Sequence, residues 1–499
     1  MRNLKQTFVL LFLIIPIVTI AQDSNIFLDR AYWKTNPTIE SIEQNIAEGH
    51  DVSALTPSYF DAVSWALIEQ VDNKTIKHLL TKKGNDVNKL THDGRTYIFW
   101  AAYKDNLEIM QHLIAKGAKM NVIDSHGYSV VNFAAITGQL NPKLYDFCIA
   151  NGANISTETN HDGANALLLV APFLKDYTLI DYFTSKGLSI NSTDTNGNGL
   201  FNYATKNGNI ALLKTLISKG VNSNVKTKDG SNAMIFASQG TRRHTNTLEM
   251  FKYLESIGVS PNITTNNGTT PLHALAYKSK DIKVFDYFIS KGVNINQANE
   301  DGNTVLINAA YNNDLPVIKH LLKQIKNINV ANKEGKTALT SAISRNTVDV
   351  VDLLIKNGAD ITVKDKDGNT LAYYLLKTYR SKKTDAFNKK LEVLTKNGLN
   401  LKATQAKGNN LFHVALDNTN LDLLKRIHAL DIDVNKKNNE GVSPLHIAAM
   451  KAKDQSILKY LISIGADKAI KTDFEETVYD LAKENELLQS NNININFLK

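Results

Sequence analysis

The stretch NNGTTPLHALAYKSKDIKVFDYFISKGVNINQAN, running from Asn266 to Asn299, decides the fold. It opens on the turn dipeptide Asn267-Gly268 and continues Thr270-Pro271-Leu272-His273. Thr is a favoured helix N-cap because its hydroxyl can accept a bond from an orphan backbone N–H. Pro follows at the first helical position, where a missing N–H costs nothing. A short helix is therefore expected from Pro271 to about Lys278. A second is expected after it, with Ile282, Phe285, Phe288 and Ile289 on one side at helical spacing. Gly292 stops that helix, since glycine readily takes the left-handed conformation helix ends use. Val293-Asn294-Ile295-Asn296 then leads into the next turn.

The unit resembles an ankyrin repeat, with its pattern G-x-T-P-L-H-x-A-A, a second helix, and G-A-D-V-N. Two short helices and a turn cannot bury their own apolar face and are stable only when stacked on copies of themselves. Copies are present. Turn glycines stand at Gly94, Gly127, Gly163, Gly197, Gly230, Gly268, Gly302, Gly335, Gly368, Gly408 and Gly441, spaced 33 to 40 residues apart. Two places after each stands a residue favoured at N-caps: Thr96, Ser129, Asn165, Gly199, Asn232, Thr270, Thr304, Thr337, Thr370, Asn410 and Ser443. The glycine closing the second helix recurs at Gly117, Gly152, Gly187, Gly220, Gly258, Gly292, Gly358, Gly398 and Gly465. Ile325 and Asp431 interrupt that series. A β-branched Ile is costly at positive φ, so the helix near Ile325 should end differently, with Asn327 a candidate for the left-handed position.

The resemblance implies an all-α ankyrin-repeat solenoid of about 12–13 repeats plus caps, one elongated array in place of several globular domains. The expected divisions are a leader over 1–21, an N-terminal helical cap over 22–55, and a degenerate repeat over 56–91. Eleven repeats follow over 92–472, then a C-terminal cap and Asn-rich, mobile tail over 473–499. The full T-P-L-H form occurs at Thr270–His273 and, as S-P-L-H, at Ser443–His446; elsewhere the spacing carries the identification.

Arg2 and Lys5 precede an apolar run from Phe8 to Ile20, and Thr19-Ile20-Ala21 supplies small residues for cleavage before Gln22. That is the pattern of a secretory signal peptide, and the run is too short to cross a bilayer. A periplasmic protein is expected, secreted if the cell has no outer membrane, and not held in the membrane after cleavage. The formal charge is +8, falling to +6 once Arg2 and Lys5 leave with the leader. No basic block suggests nucleic acid. Cys148 is the only cysteine, which excludes an internal disulfide and any Cys-cluster metal site.

Chemistry is sparse. Asp194-Thr195-Asn196-Gly197-Asn198-Gly199 imitates half an EF-hand loop, but the twelfth position, which needs a bidentate Glu, is Thr205. His92, His126 and His161 fall on successive turn tips, where solvated turn residues are the favoured reading over a surface metal site. His273, His413 and His446 hold the T-P-L-H position, where the resemblance implies a hydrogen bond to the neighbouring turn. No cofactor and no enzymatic activity is expected.

Such arrays bind, and the resemblance implies that the partner meets the turn tips and the last turn of each first helix. Those positions hold Tyr103 and Lys104, Tyr277 and Lys278, Tyr311 and Asn312, then Arg345, Lys377 and Met450. Tyr, Arg and Met are enriched at interface hot spots and cores. Two lengthened units carry basic insertions, at 241–246 and 378–390, which would steer an acidic partner. The expected function is an exported protein-binding scaffold. The alternative is a ligand-binding or catalytic protein whose site is built from degenerate repeats.

Overall fold

The computed structural model describes residues 25–499 apart from 226 and 382; the expected leader over 1–21 lies outside them. Among the described residues the chain is all-α, made of paired short helices with no strand and a few isolated β-bridges such as that between Ala298 and Thr304. It divides into two compact units, one ending at Thr195 and the other running from Asn196 to Lys499.

The unit around Thr270 shows how the sequence produces the fold. Its first helix is Pro271–Ala276 and its second Ile282–Ser290. Leu272, Leu275, Val284, Phe285 and Phe288 are essentially fully buried, and Tyr287 nearly so. The buried stripe of the second helix is thus rotated from the expected one: Val284 and Tyr287 face the core, while Ile282 and Ile289 are half-exposed. The reason is that this helix packs on its neighbours from two sides, and the Tyr287 hydroxyl donates to Glu255 Oε2 of the preceding repeat at 2.9 Å.

N-capping follows the sequence pattern at most turns. Ser129, Asn165, Thr304, Thr337, Asn410 and Ser443 each accept a bond from a backbone N–H of their own helix. Thr96 and Gly199 make no side-chain cap bond. Histidine extends the capping where T-P-L-H or its equivalent is present. His273 Nδ1 accepts from the Thr270 N–H at 3.2 Å, and its Nε2 faces the Asn303 carbonyl of the next turn at 3.2 Å. His413 repeats this with Asn410 at 3.2 Å and the Val442 carbonyl at 3.0 Å. A nitrogen facing a carbonyl must carry the proton, which fixes the neutral tautomer. Burial holds the pKa of His273, His413 and His446 below the ordinary value of 6.5, against the smaller opposing effect of their carbonyl partners. The unfolded chain therefore takes up protons below that pH that the folded chain resists. Their contribution to stability is whole above pH 6.5 and is lost as pH falls toward the folded-state values. Thermal melts between about pH 7.5 and pH 5 should show Tm falling with pH, and the slope should flatten in His273→Gln/His413→Gln.

Two devices set the register between repeats. At the turn tips, a backbone bond joins successive turns in much of the chain: Asn266 N–H to Asp229 O at 2.8 Å, Glu300 to Asn267 at 2.7 Å, Lys333 to Asp301 at 2.8 Å and Lys366 to Glu334 at 3.0 Å. At the opposite end, an asparagine clasps the next helix end through both amide atoms. Asn329 Nδ2 donates to the Gly358 carbonyl at 3.0 Å while its Oδ1 accepts from the Asp360 N–H at 2.8 Å. Asn88, Asn296 and Asn435 do the same in their repeats.

Several departures have local causes. Asp431 and Glu475 take the left-handed conformation at φ 55° and 63° in place of glycine. Ile325 does not, and neither does Asn327; the helix Leu315–Leu322 instead closes early, with Lys323 and Gln324 donating back to His320 and Leu321. The tail expected to be mobile is docked: Leu498 is 2 % exposed, and Lys468 Nζ donates to the Phe497 and Lys499 carbonyls at 3.0 and 2.8 Å. The apolar residues Phe497 and Leu498, few in an Asn-rich segment, provide the anchor. Cys148 packs in the core, where burial pushes its thiol up to about 12.

Candidate protein-interaction face

The first helices end on one side of each repeat, and their last residues project beside the turn tips. In the second unit this places Tyr277 and Tyr311, from adjacent repeats, edge to face with ring centroids 6.3 Å apart. Both are open to solvent, at 43 % and 38 % exposure, which is unusual for large rings otherwise spent on the core. The Arg345 guanidinium lies 5.1 Å over the Tyr311 ring, continuing the row into the next repeat. Asn312 fixes the backbone beneath, its Nδ2 donating to the Tyr277 carbonyl at 3.0 Å. Lys278 bends the other way, its Nζ donating to the Thr241 carbonyl of the preceding repeat at 2.6 Å. Burial lowers its pKa. Tyr277, Tyr311, Ile307 and Asn308 line a shallow depression of about 720 Å³, with Asp301, Lys336 and Lys366 around it.

Lys377 and Met450 lie farther along the same unit. Lys377 sits 5.3 Å over the Tyr373 ring and pairs with Asp417 at 2.8 Å. Asp417 also meets Lys451 at 3.3 Å, beside Met450, which is 43 % exposed. Burial would raise the Asp417 carboxyl, but the two ammonium groups more than offset it and hold it below its ordinary pKa. Here the two lysines share one carboxylate of the chain's own.

Tyr103 and Lys104 belong to the first unit. Lys104 Nζ lies 4.7 Å over the Tyr103 ring, which packs on Phe133 at 6.1 Å. The centre of that cluster is one the sequence reading missed. The Arg95 guanidinium sits 4.2 Å from the Phe133 centroid and 5.4 Å from that of Trp100. Asp124 at 2.7 Å and Asp93 at 3.1 Å hold it there. Phe60 stacks between Trp65 at 4.2 Å and His92 at 4.4 Å. These residues come from different offsets in three repeats, and the one available signal is the density of Trp and Phe between Phe60 and Phe133.

The turn-tip histidines do not converge on one point. His92 and His126 both approach Asp93, at 3.4 and 3.2 Å, whereas the His161 ring covers Gly127. Among the described residues no group of three His, Cys, Asp or Glu side chains is placed to hold a metal ion. Thr205, at the twelfth position of the EF-hand lookalike, is fully buried and spends its hydroxyl on the Asn202 carbonyl at 2.6 Å. No helix among the described residues is long and apolar enough to cross a membrane.

Paired helices, turn-tip backbone bonds and asparagine clasps define a helical-hairpin repeat solenoid. The family model for ankyrin repeats (3 copies) matches residues 63–159, 243–330, 272–365 and 379–472, more than half of the chain, and the chain belongs to the ankyrin repeat family. It is similar to the NAD-dependent deacetylase sir2B of Dictyostelium discoideum, 29 % identical over 224 residues, covering 43 % of this chain and 27 % of that protein. It is similar as well to the putative ankyrin repeat protein L371 of Acanthamoeba polyphaga mimivirus, 27 % identical over 232 residues, covering 46 % and 29 %. A third relative is the human transient receptor potential cation channel subfamily A member 1, 24 % identical over 282 residues, covering 41 % and 25 %. The chain spans under a third of the length of each of these relatives. The repeat class suggests a protein-interaction scaffold.

Proposed function

We propose that this chain is an exported, periplasmic scaffold that binds another protein across the first-helix ends of its second unit. The observation that carries the reading is the exposed Tyr277–Tyr311 pair with Arg345 over it. Rigid aromatic rings present large contact area at low entropic cost, and a guanidinium beside them adds directional donors. A shallow, open depression suits a protein surface better than an enclosing pocket suits a small substrate. Export rests on the leader-like sequence over 1–21.

The test is in-cell crosslinking followed by mass spectrometry, comparing the wild type with Tyr277→Ala/Tyr311→Ala. At least one partner should be recovered tenfold less from the variant, as the loss of two hot-spot rings would produce. Equal recovery of every partner from both proteins discards the face. For export, the chain purified from the periplasmic fraction should begin at Gln22.

A further inference from the structure

The arginines of the described chain fall into two groups. Arg30 pairs with Glu69, and Arg95 with Asp93 and Asp124. Arg380 donates to the Lys377 and Tyr379 carbonyls, and Arg426 to Asn388. The remaining three, Arg242, Arg243 and Arg345, have no carboxylate within ion-pairing distance and no hydrogen-bond acceptor among the described residues, and all three are exposed. An exposed guanidinium with no protein acceptor keeps its planar donor fork open to an incoming carboxylate, the group that fork matches best.

These three are also connected in space. Arg242 and Arg243 form the tip of a tight turn closed by the Thr241–His244 bridge. Lys278 holds that turn through its bond to the Thr241 carbonyl at 2.6 Å and is followed back along the chain by Tyr277. Tyr277 meets Tyr311, and Tyr311 carries Arg345. The row thus crosses four consecutive repeats. Downstream the pattern changes, since Lys377 and Lys451 share Asp417. The acids near the row are Asp301, close to Tyr277, and Glu334, which is taken by Lys336.

Resting on the protein-binding reading above, we propose that the row Arg242–Arg243–Tyr277–Tyr311–Arg345 receives a carboxylate-rich segment of the partner protein, its acidic side chains pairing with the three guanidiniums and an apolar or aromatic residue seating against the two tyrosines. Charge complementarity selects this occupant. The unpaired cations sit at both ends of the row and the exposed rings in the middle, so a segment with acids flanking an apolar residue matches it in order.

The test uses the purified full chain and a fluorescein-labelled ten-residue peptide rich in Asp and Glu around a central Phe, followed by anisotropy. The peptide should bind, with affinity falling as salt rises. A peptide with Asn and Gln in place of the acids should bind at least tenfold more weakly. Arg242→Gln/Arg243→Gln/Arg345→Gln should lose at least tenfold while its thermal melt stays unchanged. Absence of binding, equal binding of the amide peptide, or an unaffected triple variant overturns the proposal. So does displacement of the peptide by inorganic phosphate, anionic phospholipid vesicles or a single-stranded oligonucleotide at lower concentration than unlabelled peptide. If the crosslinked partners are lost from Tyr277→Ala/Tyr311→Ala but kept by the arginine variant, the face stands and the acidic occupant falls.

Discussion

Asp61→Ala should lower the stability of the first unit by about 3–5 kcal/mol, the cost of removing one partner from a buried ionic network. Asp61 is fully buried. Its Oδ2 accepts from the Tyr97 hydroxyl at 2.6 Å and from Lys89 Nζ at 2.9 Å, and its Oδ1 from the Ser64 N–H at 2.9 Å. Lys89 also donates to the Ser53 carbonyl at 2.7 Å. One carboxylate therefore caps its own helix, Ala62–Glu69, and ties it to the next repeat through Tyr97. Burial, followed by the Asp61 charge, pushes the Tyr97 hydroxyl far above its ordinary pKa, so it remains a donor at any accessible pH. Removing the carboxylate leaves an ammonium and a phenol facing an empty space. The added change Lys89→Met should recover part of the loss, because the uncompensated charge goes with it. Urea unfolding followed by tryptophan fluorescence reports directly, since Trp65 and Trp100 lie in the same unit. A loss under about 1 kcal/mol would assign the network a minor role.

Gly335→Ala in the second unit should cost more than Gly358→Ala, although both glycines have positive φ, 76° and 90°. At Gly358 an added methyl meets nothing within 4 Å, so the cost is the left-handed strain of about 1–2 kcal/mol. At Gly335 the same methyl would stand 2.7 Å from the Lys366 nitrogen and 2.8 Å from Asp365 Cα. Those are backbone atoms of the next turn and cannot rotate away. Relief requires separating the turns, which breaks the Lys366-to-Glu334 bond. The expected loss is about 3 kcal/mol or more, strain and contact combined. Repeat arrays open piecewise, so amide exchange is the sharper readout. Protection should fall at Lys366 and its neighbours in Gly335→Ala and stay intact there in Gly358→Ala. Equal exchange in the two variants would mean the turns do not pack through this glycine.

Period and punctuation made the repeat legible from residues alone. Turn glycines and cap residues act within a few residues of one another, so their consequences could be read locally. Even the substitutes for glycine at Asp431 and Glu475 respect the same backbone demand. Of the face, Tyr277, Tyr311 and Arg345 were legible because their offset from each turn glycine is fixed by helix length. What stayed hidden depends on side chains meeting across repeats at unequal offsets. The Arg95–Phe133–Trp100 cluster is one case, and the rotated stripe of Ile282–Ser290 is another. The docked tail is a third, where the outcome turns on two apolar residues against an Asn-rich background.

The longer insertion carries a lesson of its own. Elsewhere an asparagine reaches back to the carbonyls closing the preceding first helix, as Asn346 does to Ala310 and Asn313 at 3.0 and 2.7 Å. Tyr379 stands where the next such asparagine would fall. Its task passes to Lys390, 5 % exposed, whose Nζ donates to the Ile343 carbonyl at 2.7 Å and approaches that of Ala342 at 3.4 Å. Part of the surplus is wound into Thr384–Lys396, a 13-residue helix, and burial brings the lysine pKa down to about 8. A spacer of four methylenes thus stands in for a short amide, and part of the added chain length becomes an extra turn of helix.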